Sequence, residues 1–237
     1  MTEWFEEWFG EEYLHLYPHR NEHDAERVVA LLRRTLPWHA GWRVLDICCG
    51  AGRHMKALSE VGGRPIGLDL SGPLLARARE VTVAPLIRAD IRHLPIRPES
   101  VDLAVNLFTS FGYFETDQEH VSALSQMIGV VRPGGWFTLD FLSADTVRRS
   151  LIQSEDATLA DAPVRIERRL TDRERFVVKT IRTPDGREYM ERVRLFTPAD
   201  LEAMLRPLPL TLTHRFGDYH GAPLGEGPRT ILVGRRT

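Results

Sequence analysis

The run Asp46-Ile47-Cys48-Cys49-Gly50-Ala51-Gly52 puts a carboxylate, two thiols and two glycines where a buried strand, Trp42–Ile47, reads into a loop and then a helix. Glycines at such a place let the backbone approach a ligand closely or take up φ values that other residues avoid. In a doubly wound α/β sheet, nucleoside ligands dock at strand ends of this kind. The charge at position 46 discriminates among them. A dinucleotide site brings a diphosphate to this loop and binds it with G-x-G-x-x-G and a helix N-terminus. A carboxylate here would repel phosphate. It suits a ligand that carries an ammonium group and a sulfonium.

Further polar residues fall at the ends of the next strands. Asp69, 23 residues after Asp46, closes the second strand beside Leu70 and can accept hydrogen bonds from ribose hydroxyls. Asp90-Ile91 closes the third and could fix an adenine edge, with Asp90 accepting from the exocyclic amine. Asn106-Leu107-Phe108 closes the fourth and leads into a loop that would run beneath the ligand. A single Asp after a strand is commonly a turn former or helix cap. The ordered set of four behind one glycine loop points to a ligand.

These residues need a scaffold, and the chain supplies one by alternation. Trp42–Ile47, Pro65–Leu70, Leu86–Ala89, Val101–Leu107 and Trp136–Leu142 read as strands, the last after the turn Arg132-Pro133-Gly134-Gly135. Helices are expected over Gly52–Val61, Pro73–Glu80 and Asp117–Val131. Near-continuous apolar strands separated by helices argue for a parallel sheet covered on both faces. An earlier helix, capped by Asn21, has the apolar stripe Val28, Val29, Leu31, Leu32 and Leu36.

After about Leu159 the period changes to two. Val164–Leu170, Arg175–Arg182 and Glu188–Phe196 read as a three-stranded antiparallel meander, with Thr183-Pro184-Asp185-Gly186 as its clearest turn. Thr197-Pro198 then starts a helix, Thr197 capping and Pro198 in its first turn. Leu210–Phe216 and Arg229–Arg235 are the closing strands. The meander is rich in arginine, but Glu167, Asp172, Glu174, Asp185, Glu188 and Glu191 are interleaved, the pattern of cross-strand ion pairs on a solvated face.

At 237 residues the chain suits one α/β domain with appended segments, and its net charge of −2 gives no global pull toward nucleic acid. Cys48 and Cys49 are adjacent, which disfavours a structural disulfide, and two thiols do not close a zinc site. With no signal-peptide pattern at the start and no long apolar run, a reducing, cytoplasmic setting is the expectation.

From about Arg43 to Phe141 the chain resembles the class I S-adenosylmethionine-dependent methyltransferases. Their glycine-rich first motif looks like Asp46–Gly52, with Cys48 where many members have glycine. Their acidic ribose motif looks like Asp69, their adenine motif like Asp90-Ile91 and their fourth motif like Asn106–Phe108. The resemblance implies a doubly wound, Rossmann-like seven-stranded sheet whose last strand is antiparallel, with the meander (160–196) inserted. It also implies a small-molecule methyl acceptor and an N-terminal helical lid (1–37). The expected cofactor-binding residues are Tyr17, Arg20, Asp46, Cys48, Gly50, Gly52, Asp69, Leu70, Asp90, Ile91, Asn106 and Leu107, with Arg20 pairing the methionyl carboxylate.

Methyl transfer from an activated donor needs alignment and exclusion of water, and a base only if the acceptor arrives protonated. Tyr113 and His220 are the candidates for that proton. The aromatic residues Trp4, Phe5, Trp8 and Phe9 share a helical face. For the tryptophans, packing on the domain is the simpler explanation. No metal ligand set is expected. Other readings are an RNA or DNA methyltransferase, a non-catalytic S-adenosylmethionine-binding module, and a dehydrogenase. Asn106-Leu107-Phe108-Thr109 lacks the [D/N]-P-P-[Y/F] signature of base methylation, and the diphosphate fingerprint of a dehydrogenase is missing.

Overall fold

The computed structural model describes residues 3–16, 22–159, 162–183 and 185–237. Five strands, β1 (Arg43–Ile47), β2 (Arg64–Asp69), β3 (Leu86–Arg88), β4 (Val101–Asn106) and β5 (Val131–Leu142), run parallel. With β10 (Leu210–Phe216) and β11 (Arg229–Arg236) they make a seven-stranded sheet of order β10-β11-β5-β4-β1-β2-β3. Strand β11 runs antiparallel to both β5 and β10. The expected architecture is therefore present, last strand included.

Strand alternation sorts the core into two layers. Val44, Leu103, Val105, Ile231 and Val233 face α3 (Glu22–Thr35) and α4 (Arg53–Glu60), while Leu45, Ile47, Phe137, Leu139 and Leu232 belong to the layer that includes α6 (Asp117–Gly129) and α8 (Pro198–Leu205). The α3 stripe is buried against this first layer, so α3 packs as part of the α/β core. Its proposed cap, Asn21, lies outside the described residues. Thr197 caps α8, accepting from Asp200 N, and Thr116 caps α6 in the same reciprocal way with Glu119.

Three expectations need correction. The Arg132–Gly135 turn is instead the start of β5, a bulge with a register shift against β4 and Gly134 in the left-handed region. The inserted sheet has four strands: β6 (Ser154–Leu159), β7 (Ala162–Thr171), β8 (Phe176–Arg182) and β9 (Glu188–Arg194). Its first strand, Ser-Glu-Asp-Ala-Thr-Leu, is too polar to announce itself and is an edge. Between β5 and β6 lies the unexpected helix α7 (Ala144–Ser150), capped by Ser143. Two short helices, α1 (Trp4–Trp8) and α2 (Glu11–Leu16), lie against the inserted sheet, and Trp8 Nε1 donates to Glu191.

Gly67 marks how closely the sheet packs below the glycine loop: a Cβ there would meet Met55 Sδ, Leu86 Cδ2 and Cys49 Sγ. Gly67→Ala should destabilise the fold by about 1–3 kcal/mol through overpacking. Gly129→Ala, where a Cβ meets nothing within 4 Å, should be neutral or stabilising by up to about 1 kcal/mol. Urea denaturation distinguishes them, and equal midpoints would contradict the packing described.

Candidate functional site

The carboxyl edge of the parallel sheet opens into a cavity of about 730 Å³. Its base is the loop after β1. Cys48 and Gly50 both have positive φ (61° and 55°), and a Cβ on Gly50 would meet no protein atom within 4 Å, so the backbone is bare where it lines the cavity. Asp69 fixes this loop. Its Oδ2 accepts from Gly50 N and its Oδ1 from Ser71 N, each at 2.8 Å, and each oxygen keeps lone-pair capacity for a ligand. Burial pushes the Asp69 pKa up, and the backbone hydrogen bonds from Ser71 and Gly50 oppose that rise.

Of the residues expected to bind a cofactor, Cys48, Gly50, Asp69, Leu70, Asp90, Ile91 and Leu107 line this cavity. Burial, together with the charges of Asp69 and Asp46, raises the Cys48 pKa and keeps it a thiol. Asp90 is held by Arg92, whose Nε lies 2.9 Å and 3.1 Å from its two oxygens, and Arg92 also reaches Glu3. Burial would raise the Asp90 pKa, but the bonds from Arg92 hold it below the ordinary value.

Others are placed differently. Gly52, left-handed at φ 83°, makes room for Ala78 and Val81 of α5 (Gly72–Val81) and serves helix packing, away from the cavity wall. Asn106 is wholly buried and ties strand ends together, its Nδ2 donating to the carbonyls of Ile47 and Ser110 at 3.1 and 3.2 Å. Its Oδ1 has no partner. His220 is exposed in the turn Asp218–Gly221 on the α3 side and does not reach the cavity, which removes the geometric basis for a proton-transfer role. Tyr17 and Arg20 lie outside the described residues.

Asp46 is the most informative of these. It is 1% exposed, sits on β1 between Gly67 and Val105, and does not itself line the cavity. Its Oδ2 has no hydrogen-bond partner. Burial and then the charge of Asp69 push its pKa up to about 8, against a lowering by Arg53. A carboxyl so placed does not touch a ligand in the cavity and acts on it only through its charge when ionised. Ionisation is favoured by a positive ligand, and with the bare Gly50 backbone and Asp69 the site fits an adenosyl sulfonium.

The loop after β4 forms another wall, and sequence reasoning missed what holds it. Phe108 and Thr109 are consecutive left-handed residues (φ 59° and 65°), a conformation costing of order 1 kcal/mol or more each. Asp140, with no exposed surface, secures them. Its Oδ2 accepts from Phe108 N (2.9 Å) and Tyr219 Oη (2.8 Å), its Oδ1 from Arg229 Nε (2.8 Å), and its carbonyl from Thr109 N (3.0 Å). Tyr113 follows in the same loop and lines the cavity, its hydroxyl donating to the Thr109 carbonyl at 2.8 Å and its ring packed among Trp4, Phe5 and Phe9.

The inserted sheet supplies the far wall. Cross-strand pairing aligns Arg168, Lys179 and Glu191 in one row and Val177 with Val193 in the next, and all five line the cavity. Arg168 pairs with Glu155 and Lys179 with Glu191, both at 2.6 Å. The expected cross-strand ion pairs exist, as Arg182 with Glu167 and Glu188 also shows, but one face of the sheet is a cavity wall and not solvated. Period-two patterning could have located that face; what it abuts is not written locally.

Residues 44–135 match the family model described as a methyltransferase domain. A dTDP-3-amino-3,4,6-trideoxy-alpha-D-glucopyranose N,N-dimethyltransferase from Streptomyces venezuelae is 30% identical over 53% of this chain and 57% of its own length. This chain thus spans little more than half of that relative. A dTDP-3-amino-3,6-dideoxy-alpha-D-glucopyranose N,N-dimethyltransferase from Streptomyces fradiae is 28% identical over 90% of this chain and 85% of its own length. A crystal structure of a S-adenosylmethionine-dependent methyltransferase from Clostridium acetobutylicum ATCC 824 superposes with a TM-score of 0.81, at 18% identity, over 94% of this chain and 97% of that one. The fold is shared.

The raised Asp46 pKa makes ligand binding proton-linked. Below about pH 8 the ligand-free carboxyl is protonated, and a nearby cation favours its ionised form. S-adenosylmethionine binding at pH 7 should therefore release a proton, and the Asp46 contribution to affinity should rise with pH up to about 8 and level off above it. In the ligand-free protein the sign runs the other way: stability should fall as pH rises from 3.8 to about 8, because the folded state holds this proton more tightly. Calorimetry in buffers of different ionisation enthalpy reads the released proton. Its persistence in Asp46→Asn would contradict the assignment.

Proposed function

We propose that this chain, whose residues 44–135 match a family model described as a methyltransferase domain, uses S-adenosylmethionine to transfer a methyl group to a small-molecule acceptor. One observation carries the small-molecule part. The cavity of about 730 Å³ is walled on separate sides by α1 and α2, by the loop after β4 and by the inserted sheet. That volume lies in the range of small-molecule sites, and its lining combines apolar surface with a few polar groups. The relatives' names, which specify amino-sugar N-methylation, make an amine the first acceptor to test.

S-adenosylmethionine, when bound, supplies an activated methyl group on sulfur; the acceptor's lone pair takes it and the donor leaves as a neutral thioether. What this chain contributes is position and dryness. Asp69 holds the ribose hydroxyls while keeping the glycine loop in shape. Ile91 and Leu70 would hold the base, with Asp90 to accept from its amine. The bare backbone at Gly50 accommodates the methionyl part beside Leu107. Tyr113, fixed through Thr109, faces the acceptor together with Phe5 and Phe9 and excludes water. Phe141 and Phe196, packed beneath Phe111, stiffen this loop from below.

Two experiments test the reading. Asp69→Ala should weaken S-adenosylmethionine binding by about 1.5–3 kcal/mol, from lost hydrogen bonds to a charged group. Asp69→Asn, which keeps the shape, should lose less, and unchanged calorimetric affinity in both would place the ribose elsewhere. Release of S-adenosylhomocysteine should be stimulated by an acceptor from a panel of amine-bearing sugars and sugar nucleotides. Labelling of bulk tRNA with no response to any small molecule would contradict the small-molecule assignment.

A further inference from the structure

One side of the cavity has no task in that reading. Arg53 and His54 open α4 immediately after the glycine loop, and Arg229 opens β11; all three line the cavity. The two guanidiniums lie over the same ring, Arg53 at 4.0 Å and Arg229 at 5.3 Å from the Phe108 centroid. His54 is 5% exposed and its Nε2 has no hydrogen-bond partner. Buried polar atoms are almost always satisfied, so an orphan at a cavity wall points to a ligand group. Arg229 spends Nε on Asp140 and Nη2 on Thr109 Oγ1, and its Nη1 takes no part in those bonds. Burial, then the charges of Arg53 and Arg229, hold the His54 pKa well below its ordinary value, so the ring stays neutral and does not add a third cation.

An apolar group here would leave His54 Nε2 unsatisfied. A planar oxyanion suits this wall, since guanidinium forks match carboxylate and phosphate geometry. We propose that Arg53, His54 and Arg229 form an oxyanion-binding subsite on the β11 side of the crevice. Two sources could supply that group: the methionyl carboxylate of the donor, or a carboxylate or phosphate on the acceptor. The position of Arg53 directly after the glycine loop places the subsite beside the donor. The choice of source rests on the function proposed above; the subsite itself does not.

The test uses probes that need no identified acceptor. S-adenosylhomocysteine and its decarboxylated analogue, which keeps the ammonium, are titrated calorimetrically into wild type, Arg53→Gln and His54→Gln. Inorganic phosphate is then titrated into the protein, free and saturated with S-adenosylhomocysteine, with amide resonances as readout. These variants leave the Arg229–Asp140 pair intact, and thermal melts verify folding; Arg229→Lys is a further variant that retains the charge. If the donor carboxylate is the occupant, both Gln variants bind S-adenosylhomocysteine at least tenfold more weakly and the analogue within twofold of wild type. If the acceptor's oxyanion is, donor affinity holds, and phosphate shifts the saturated wild type but neither Gln variant. The proposal is overturned if the variants weaken both nucleosides equally, or change neither nucleoside binding nor the phosphate response. Failure of wild type to bind S-adenosylhomocysteine would instead overturn the donor reading, and phosphate binding to the free protein would still decide the subsite.

Discussion

A buried carboxyl at the carboxyl edge of the sheet, Asp46, constrains everything built around it. It sits beneath the glycine loop with one oxygen unpartnered, close enough to Asp69 that the neighbouring charge adds to its cost of ionisation. Burying an acid without a partner is unfavourable, and such a group stays neutral until a positive charge arrives. The loop above it is shaped to bring that charge near. Cys48 and Gly50 are left-handed, the backbone of Gly50 is bare, and Asp69 pins the loop from the neighbouring strand.

Asp140 plays the complementary part in the loop after β4. Taking a carboxylate and a guanidinium out of water is costly unless further hydrogen bonds complete both groups. Asp140 and Arg229 have those bonds, Asp140 accepting from Tyr219 and Phe108 and Arg229 donating to Thr109, and they hold two strained residues in place. The loop after β4 is thereby held in place where it walls the cavity. The inserted sheet and α1–α2 complete the enclosure, and their ion pairs Arg168–Glu155 and Lys179–Glu191 leave apolar Val177 and Val193 facing the same space.

Much of this was legible in the sequence because it is local. Apolar runs gave the parallel strands, the cap Thr197 with Pro198 gave α8, and acidic strand ends gave Asp69 and Asp90 their place at the crevice. What escaped depends on three-dimensional neighbours. Spacing cannot tell Gly50, which faces a cavity, from Gly52, which faces Ala78. The loop of His220 follows the same kind of strand end, yet it turns toward α3. Strand β6 carries too few apolar residues to show a period, and it exists because β7 pairs with it. Asp140 reads as one polar interruption in an apolar strand, and its value appears only when Arg229, 89 residues later, is laid beside it.

Selection of a cation over a diphosphate at the loop above Asp46 is the central claim, and equilibrium binding measures it most directly. Dialysis of the protein against S-adenosylmethionine and NADH, separately and in competition, should show saturable binding of the sulfonium compound, undiminished by excess NADH. Saturable NADH binding that displaces S-adenosylmethionine, or that occurs without any binding of the latter, would contradict the account.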